Sequence, residues 1–192
     1  NNDDGPPLVS ITDVTANEGA GTLTFTVSLT AASGLTVTVP FTSAAGTALT
    51  PADYSVATIS PLTFTPGDTS ETITVNIVDD LLDEDDETFT VTLGTPTNAD
   101  LDPTPGNEIG TGTITDNDNP PSVSIDDVAV TEGTGAGTTT LTFTATLSAP
   151  SGLTITVPFT SANGTAGGAD YSVTTVSPLT FNAGVTTQTI SV

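Results

Sequence analysis

The stretch VDDLLDEDDETF, residues 78–89, carries a dense run of carboxylates. Seven of the nine positions from Asp79 to Glu87 are Asp or Glu, and the 192-residue chain contains no Lys, Arg or His to pair with them. Two carboxylates about 5 Å apart repel by roughly 1 kcal/mol in bulk water and by several kcal/mol at a half-buried site. Each acid in this segment, called the acidic run below, must therefore face water, take up a proton or bind a cation.

Four further acids lie close to the ends of predicted strands. They are Glu18, Asp53, Asp116 and Asp118. In a β-sandwich, alternate strand ends lie at the same pole of the domain. We therefore expect these four residues and the acidic run to meet at one pole.

Three interpretations of this gathering compete. A solvated loop is the usual meaning of a charge run, and a halophilic surface would be acidic throughout the chain. A divalent-cation site needs several oxygen ligands that converge from separate loops, and Ca²⁺ takes about 6–8 of them. Only the cation site explains both why the acids gather and why the sequence encodes no cation, so calcium is the favoured ligand.

Other metal motifs fit less well. No segment matches the linear EF-hand loop, and the glycine-rich nonapeptide repeat is absent. Zinc is disfavoured because the chain has no His or Cys ligand. Magnesium is a competitor, but crowded carboxylates suit the larger calcium ion better.

The composition excludes several classes of function. The chain has 23 acidic residues, a formal net charge of −23 and 35% hydrophobic residues, which suits one or two domains with their own cores. Such a polyanion is a poor partner for nucleic acid or anionic membrane surfaces. No apolar run approaches the ~20 residues that span a bilayer, so we expect no membrane insertion.

The chain has few side chains that could catalyse a reaction. Without His, Lys, Arg or Cys, the usual bases and activated nucleophiles are missing. A carboxylate pair can hydrolyse glycosides, but sugar sites usually stack the ring on aromatic side chains, and this chain has no Trp and only two Tyr. We expect a protein that is not an enzyme.

The elements that position the acids are predicted to be strands. Apolar residues alternate with Thr and Ser at a period of two, as in TLTFTVSL at residues 22–29, and β-branched Thr favours strands. The pattern predicts strands near residues 8–15, 22–30, 35–43, 54–64, 71–78, 88–95 and 110–115. Seven alternating strands in about 115 residues are typical of an immunoglobulin-like antiparallel β-sandwich, so the predicted fold class is all-β.

The chain contains two copies of one module. SGLTVTVPFTSAAGTA at residues 33–48 returns as SGLTITVPFTSANGTA at 151–166, and ADYSV at 52–56 returns at 169–173. Self-similarity at a spacing of about one domain indicates tandem domains rather than a single fold.

We predict a complete domain at residues 1–118 and a second domain at residues 119–192 that lacks its last strands. The match stops before the equivalent of residues 76–118. We expect the chain to be a segment of a longer array of such modules. The alternative is an incomplete domain that a strand from a neighbouring chain completes. Between Gly133 and Val192 the second copy has one acid, Asp170.

Together the motif residues resemble a known family. The run EG…GTA…ADYS…LTFTPGDTSETITVNIVDDLLDEDDETFTVTL…GTGTITDND is similar to the Calx-beta domain, a module of sodium–calcium exchangers and of large bacterial surface proteins. The resemblance covers residues 6–118 completely and residues 120–192 as far as they run. Its motif is a strand, Asp-Asp, a short acidic loop ending in Glu, an aromatic-led strand and a terminal acidic cluster.

The resemblance implies a calcium site at one pole of the sandwich. One implied ligand is the backbone carbonyl of Leu82. The others are the side chains of Glu18, Asp53, Asp79, Asp80, Glu84, Glu87, Asp116 and Asp118. The terminal cluster reads Asp-Asn-Asp, so the neutral Asn117 stands where the family pattern has a third Asp. The second copy keeps only Glu132 and Asp170, a partial set.

These features predict a non-enzymatic structural module of a repetitive extracellular or cell-surface adhesin or filament, stiffened by calcium. Proline-bearing linkers such as NDNPP restrict the joint between modules, and the absence of Lys and Arg leaves trypsin-like proteases no cleavage site. The alternative is a calcium-sensing regulatory domain of a larger protein. The expected partners are calcium ions and neighbouring copies of the module, with homopolymerisation by strand exchange as a possible assembly.

Overall fold

The computed structural model of the protein describes residues 5–135 and 137–192, and residues 1–4 of the predicted first domain lie outside that part. Its strands are β1 Leu8–Ile11, β2 Val14–Asn17, β3 Thr22–Leu29, β4 Val37–Val39, β5 Phe41–Ala45, β6 Tyr54–Val56, β7 Leu62–Phe64, β8 Ser70–Ile77, β9 Glu87–Leu93, β10 Asp100–Leu101, β11 Ile109–Thr115, β12 Val123–Ile125, β13 Thr142–Leu147, β14 Ile155–Val157, β15 Leu179–Phe181 and β16 Thr187–Ser191. A 3-10 turn, Glu18–Ala20, is the only helical element of the described residues. No helix in this part of the chain is long and apolar enough to cross a membrane.

The chain divides into two compact units. The first runs to Asp80 and continues from Asp85 to Asn117, and the second consists of Leu81–Glu84 and Asp118–Val192. The boundary predicted between residues 118 and 119 stays a prediction.

The first unit is a β-sandwich. One sheet has the strand order β10-β1-β3-β8-β6, the other has the order β2-β11-β9-β5, and β4 and β7 form an additional pair. Most neighbours are antiparallel, but β1 with β10 and β2 with β11 are parallel. The predicted all-β sandwich class is confirmed.

The period-two alternation builds the core of this unit. In β3 the side chains of Leu23, Phe25 and Val27 are at most 1% exposed, while the Thr residues between them face outward. Phe25 meets Phe89 of β9 edge to face with ring centroids 5.8 Å apart, and Tyr54 stacks on the same Phe89 at 4.0 Å. Burying each ring stabilises the fold by about 2–3 kcal/mol relative to exposure.

Two glycines of β11 make room for these rings. An added Cβ at Gly112 would lie 2.6 Å from the Phe89 ring, and one at Gly110 would lie 2.9 Å from the Phe25 ring. Any larger residue would push the aromatic side chains apart. The GTGT sequence of this strand is therefore a packing requirement of the core.

Three predicted strands are each divided in two. Residues 8–15 form β1 and β2, which belong to opposite sheets. Pro40 separates β4 from β5 within residues 35–43, because proline has no amide hydrogen for a ladder. Residues 54–64 form β6 and β7, and the short β10 was not predicted at all. The predicted number of strands, seven, was too small. The alternation of apolar and polar residues does not show where the chain crosses from one sheet to the other.

The second unit repeats part of this arrangement. Its sheets are β12-β13-β16 and β14-β15. Phe143 of β13 lies opposite Ile190 of β16, as Phe25 of β3 lies opposite Ile73 of β8 in the first unit. Its buried core is smaller and contains Ala145, Leu147, Leu179, Phe181 and Ile190.

Candidate metal centre

The parallel pairing of β2 with β11 brings two acids together. Asn17, the last residue of β2, lies opposite Thr115, the last residue of β11. Parallel neighbours end at the same edge of a sheet, so the next residues, Glu18 and Asp116, leave that edge side by side. The 3-10 turn that starts at Glu18 returns the chain to β3 and leaves this side chain only 8% exposed.

Three carboxylates converge at this edge. One side-chain oxygen from each of Glu18, Asp116 and Asp118 lies within 4.8 Å of the other two. We call these three residues the carboxylate cluster. Two ionised carboxylates at that separation repel by about 1 kcal/mol in water and by several kcal/mol when half-buried. The cluster is therefore unfavourable without a compensating charge.

Two oxygens of the cluster accept no hydrogen bond from the part of the chain that the structure describes. Asp116 Oδ1 and Asp118 Oδ2 are buried, and no donor from the described residues reaches them. Buried polar atoms are nearly always partnered, and burying an ionised carboxylate alone is costly. The sequence has no Lys, Arg or His that could serve as a cationic partner. Carboxylate oxygens are the ligands that Ca²⁺ prefers, so these atoms fit a bound calcium ion.

Two asparagines hold the cluster in place. The Asn117 backbone amide donates to Glu18 Oε1 at 3.4 Å. Its side-chain Nδ2 donates to Asn17 Oδ1 at 3.0 Å and to Asp79 Oδ1 at 3.3 Å. Asn17 Oδ1 also accepts from the Gly19 amide at 3.0 Å, which caps the 3-10 turn. The amide that replaces a third Asp therefore crosslinks the site through hydrogen bonds.

Sequence reasoning missed the role of these asparagines. The sequence pattern predicts only a lost charge at Asn117 and assigns no role to Asn17. The signal that could have identified them is their position, since each adjoins an acid of the cluster at a predicted strand end.

The backbone brings Asp53 to the same end of the strands as Asp79. Tyr54 of β6 pairs with Ile77 of β8, and the Val78 amide donates to the Asp53 carbonyl at 2.9 Å. Asp79 follows directly and contacts the cluster through Asn117. The Asp53 Oδ2 accepts from the Leu49 amide at 2.6 Å, so one of its oxygens stabilises its own turn. A ligand role for Asp53 stays a prediction.

Within the acidic run, Asp86 and Glu87 lie at the edge where the cluster forms. Asp86 Oδ1 accepts a hydrogen bond from the Asp116 amide at 3.2 Å. Glu87 is the first residue of β9 and lies opposite Ile114 of β11. Asp86 was not among the implied ligands, and its contact shows that it helps to hold the β11 end.

The rest of the run is divided between the two units. Asp80 is exposed and is the last residue of the first segment of the first unit. Leu82 and Glu84 belong to the segment Leu81–Glu84, which is part of the second unit. The ligand roles of Asp80, Leu82, Glu84 and Glu87 stay predictions.

The two predicted ligands of the second copy belong to no such cluster among the described residues. Glu132 and Asp170 are both exposed. Asp170 Oδ2 accepts from the Gly167 amide at 2.7 Å and stabilises a local turn, as Asp53 does in the first copy. Among the described residues, the only group of three acids with converging oxygens is the one around Glu18.

A carboxylate at the other end of β11 provides a reference. Asp102 accepts hydrogen bonds from the Thr104 amide at 2.8 Å and from Asn107 Nδ2 at 3.0 Å. These bonds, led by the one from the Thr104 backbone, lower the pKa of Asp102 below its ordinary value because they favour the charged form. Asp102 precedes β11 and Asp116 follows it. The protein supplies hydrogen-bond donors to Asp102, whereas no donor from the described residues reaches Asp116 Oδ1.

The sequence of the chain matches a known protein family. The family model described as the Calx-beta domain matches residues 2–118 and, a second time, residues 116–192. The chain belongs to the Calx-beta family. This confirms the resemblance inferred from the motif residues. A comparison with curated proteins finds no match.

Solved Calx-beta structures share the fold. The structure titled "calcium binding domain CBD12 of CALX1.1" is 22% identical with a TM-score of 0.52, covering 96% of this chain and 74% of that one. CBD12 from CALX1.2 is also 22% identical with a TM-score of 0.51, covering 94% of this chain and 73% of that one. At 22% identity, this similarity shows that the Calx-beta chain shares its fold with both structures.

Proposed function

We propose that this Calx-beta chain is a non-enzymatic structural segment of a repetitive extracellular adhesin or filament, and that its first module binds calcium. The observation that carries the calcium proposal is the pair of buried carboxylate oxygens, on Asp116 and Asp118, that accept no hydrogen bond from the described residues. The structure titled as a calcium binding domain of CALX1.1 has the same fold, which supports the same ligand here.

The protein's own residues would position the ion. Bound calcium would supply the positive charge that the sequence lacks. The parallel ends of β2 and β11 set the spacing of Glu18 and Asp116, and the side chain of Asn117 holds Asp79 beside them. Because these groups come from three separate segments, one ion would tie the β2, β8 and β11 ends together and stiffen this pole.

A structural and extracellular role is supported by the sequence outside the site. The module is repeated, the linker contains consecutive prolines, and trypsin-like proteases find no Lys or Arg to cleave. The chain also lacks the His, Lys, Arg and Cys side chains on which most catalytic sites depend. We propose that its partners are calcium ions and neighbouring copies of the module, with homopolymerisation by strand exchange, and that it binds neither nucleic acid nor the membrane interior.

The second candidate is a calcium-sensing regulatory domain. It is favoured by the similarity of the fold to CBD12 of CALX1.1. A titration of chain dimensions against calcium, by small-angle X-ray scattering, distinguishes the two. A structural site binds at roughly 10⁻⁴–10⁻³ M and leaves each module's shape unchanged, whereas a sensor switches at roughly 10⁻⁷–10⁻⁵ M.

The calcium proposal is tested by calorimetric melting of the chain in calcium and in chelator. A ligand that binds only the folded state stabilises it by about 2.7 kcal/mol at a hundredfold excess over Kd. The Tm of the first module should therefore rise with calcium. Asp80→Asn or Glu87→Gln should remove most of the rise, because each deletes a predicted ligand charge and keeps the side-chain shape.

The matched control is Asp100→Asn, which removes one charge from an exposed position in β10. This variant should keep the full calcium response. If all variants and the parent chain melt at the same temperature with calcium and with chelator, the acidic run is a solvated loop and the proposed site does not exist.

A further inference from the structure

The side chain of Asn117 connects the ends of three strands in the first unit. It lies just beyond β11, and its Nδ2 donates to Oδ1 of Asn17, the last residue of β2, at 3.0 Å. The same nitrogen donates to Oδ1 of Asp79, just beyond β8, at 3.3 Å. We call the side chains of Asn17, Asp79 and Asn117 the amide bridge. All three residues belong to the first unit.

The chemistry of the two acceptors fixes the orientation of the Asn117 amide. An ionised carboxylate such as Asp79 can only accept hydrogen bonds, and Asn17 Oδ1 also accepts from the Gly19 amide at 3.0 Å. Both partners therefore require a donor from position 117. An aspartate there has the same shape but no donor, so it loses both side-chain bonds and places a second negative charge beside Asp79.

The 3-10 turn leaves room for the bridge at Gly19. An added Cβ there would lie 3.0 Å from Asn117 Nδ2, 3.1 Å from Asn17 Oδ1 and 3.5 Å from Asp79 Oδ1. One atom of each member of the bridge thus faces this glycine. Gly133 holds the matching place in the second copy, where an added Cβ would meet no described atom within 4 Å. The close approach at Gly19 is therefore a property of the bridge.

The bridge opposes the repulsion between the acids at this pole. Glu18, Asp79 and Asp116 follow the ends of three strands, and ionised carboxylates that gather at one place repel one another. The sequence has no Lys, Arg or His to offset them. Asn117 supplies hydrogen bonds in place of a charge, since its side chain donates to Asp79 and its backbone amide donates to Glu18 Oε1 at 3.4 Å. Hydrogen bonds to an ionised acceptor are stronger than neutral ones.

We propose that Asn117 is a positioning residue that keeps this pole closed when calcium is absent. Its amide takes the place of a cation between Asp79 and the end of β2, so these ligand groups are already ordered before an ion binds. Ordered ligands lose less conformational entropy on binding. The amide also leaves the pole with one ligand charge fewer than an aspartate would give it. This inference rests on the proposed calcium site, but its calcium-free part is tested without the ion.

The first test compares thermal melts of the full chain and its variants in chelator. Asn117→Asp should lower the Tm of the first module by about 3–6 °C, the shift expected for the loss of exposed hydrogen bonds. The swap variant Asp79→Asn/Asn117→Asp has the net charge of the parent. It should recover most of the lost Tm, because the amide and the carboxylate exchange places and can form a hydrogen bond again.

The second test is a calorimetric titration with calcium. Asn117→Asp should bind calcium about tenfold more tightly than the parent, because affinity rises with the number of ligand charges. The matched control is Asn107→Asp, because Asn107 Nδ2 donates to Asp102 Oδ2 at 3.0 Å and the substitution removes the same kind of bond outside the carboxylate cluster. This control should lower Tm in chelator and leave calcium affinity unchanged.

A second variant decides the matter if Asn117→Asp does not fold. Gly19→Ala changes no charge, and its Cβ should shift the Asn117 amide and lower Tm in chelator. Gly133→Ala makes the same change in the second copy and should not lower Tm, because its Cβ meets no described atom.

Three results would overturn the inference. They are an unchanged Tm in chelator for Asn117→Asp and Gly19→Ala, no recovery in the swap variant, or an equal gain in calcium affinity from Asn107→Asp. None of them alters the calcium response of the parent, so the proposed function would survive. A parent chain that binds no calcium contradicts the proposed function instead. The loss and recovery of Tm in chelator would then still support the calcium-free role of Asn117.

Discussion

Matching segments of the two modules have similar sequences but differ in secondary structure and burial. FTSAA at residues 41–45 is a strand in the first module, whereas FTSAN at residues 159–163 pairs with no strand among the described residues. Ile11 is 5% exposed and its counterpart Ile125 is 58% exposed. In the first module β9 pairs with residues 41–45, and Gly110 of β11 lies against the side chain of Ile11. A strand in this fold is therefore a property of a pair of segments and not of one segment.

The acids follow the same rule. Glu18 is buried beside Asp116 because β2 and β11 end together. Glu132 matches Glu18 in sequence but is exposed, and no group of three acids converges around it within the described residues. A carboxylate in this chain becomes a candidate ligand where a second strand end brings another carboxylate to it.

The largest expected effect comes from a matched pair of core substitutions. Phe25→Ala should lower the free energy of unfolding of the first module by about 3–5 kcal/mol, because it empties a fully enclosed site next to Phe89. Phe143→Ala should cost the second module only about 1–2 kcal/mol, because its ring is half-buried. Urea unfolding followed by hydrogen exchange separates the two modules. Equal losses would contradict the view that the second core is open.

The next effect concerns the acids. In calcium, Glu18→Gln should lose most of the calcium-dependent stabilisation of about 2.7 kcal/mol expected at a hundredfold excess over Kd. The matched change Glu132→Gln should leave the stabilisation intact, because that side chain is exposed and outside the cluster. Differential scanning calorimetry in calcium and in chelator measures both. A similar response of the two variants would place the ion elsewhere.

A smaller effect distinguishes the two tyrosines. Tyr54→Phe should leave stability unchanged or raise it by about 1 kcal/mol, because the hydroxyl is buried and has no partner among the described residues. Tyr171→Phe should lower the stability of the second module by about 1 kcal/mol, because it removes the hydrogen bond to Asn163. Thermal melts of both variants in chelator provide the measurement. If Tyr54→Phe lowered the stability and Tyr171→Phe did not, the hydroxyl of Tyr54 and not that of Tyr171 would be the hydrogen-bonded one.

The smallest effect depends on pH. The pKa of Asp102 is lowered in the folded chain, so its contribution to stability is present above its unfolded pKa and is lost as pH falls through the folded value. Asp102→Asn should therefore lower Tm slightly at pH 7, relative to Asp100→Asn, and this difference should disappear at strongly acidic pH. A Tm difference that persists in acid would show that the loop depends on packing and not on the charge.

Much of the fold could be predicted from the sequence because alternation is a local signal. Thr and Ser between apolar residues identify β3, β8 and β9 directly. The division of residues 8–15 between two sheets could not be predicted, because both halves bury alternate side chains and only the pairing distinguishes them. The parallel pairing of β2 with β11 is likewise a long-range property.

The candidate site was predictable in outline for the same reason. Acids at strand ends collect at one pole, and Glu18, Asp116 and Asp118 do so. Asn117 was harder to interpret, because an amide can replace a ligand or donate hydrogen bonds, and its donor geometry depends on Asn17 and Asp79. The spacing of residues along the sequence does not reveal contacts that join three separate segments of the chain.

The most direct test of the central claim is a calorimetric titration of the intact chain with calcium, with Glu132→Gln/Asp170→Asn and Asp116→Asn/Asp118→Asn double variants beside the parent. We predict saturable binding to the parent and to the first double variant, and loss of binding in the second. Asp116 and Asp118 carry the two buried oxygens that accept no hydrogen bond from the described residues, so their charges are the ones that calcium must balance. No heat of binding in the parent, or undiminished binding in the second double variant, would contradict the account.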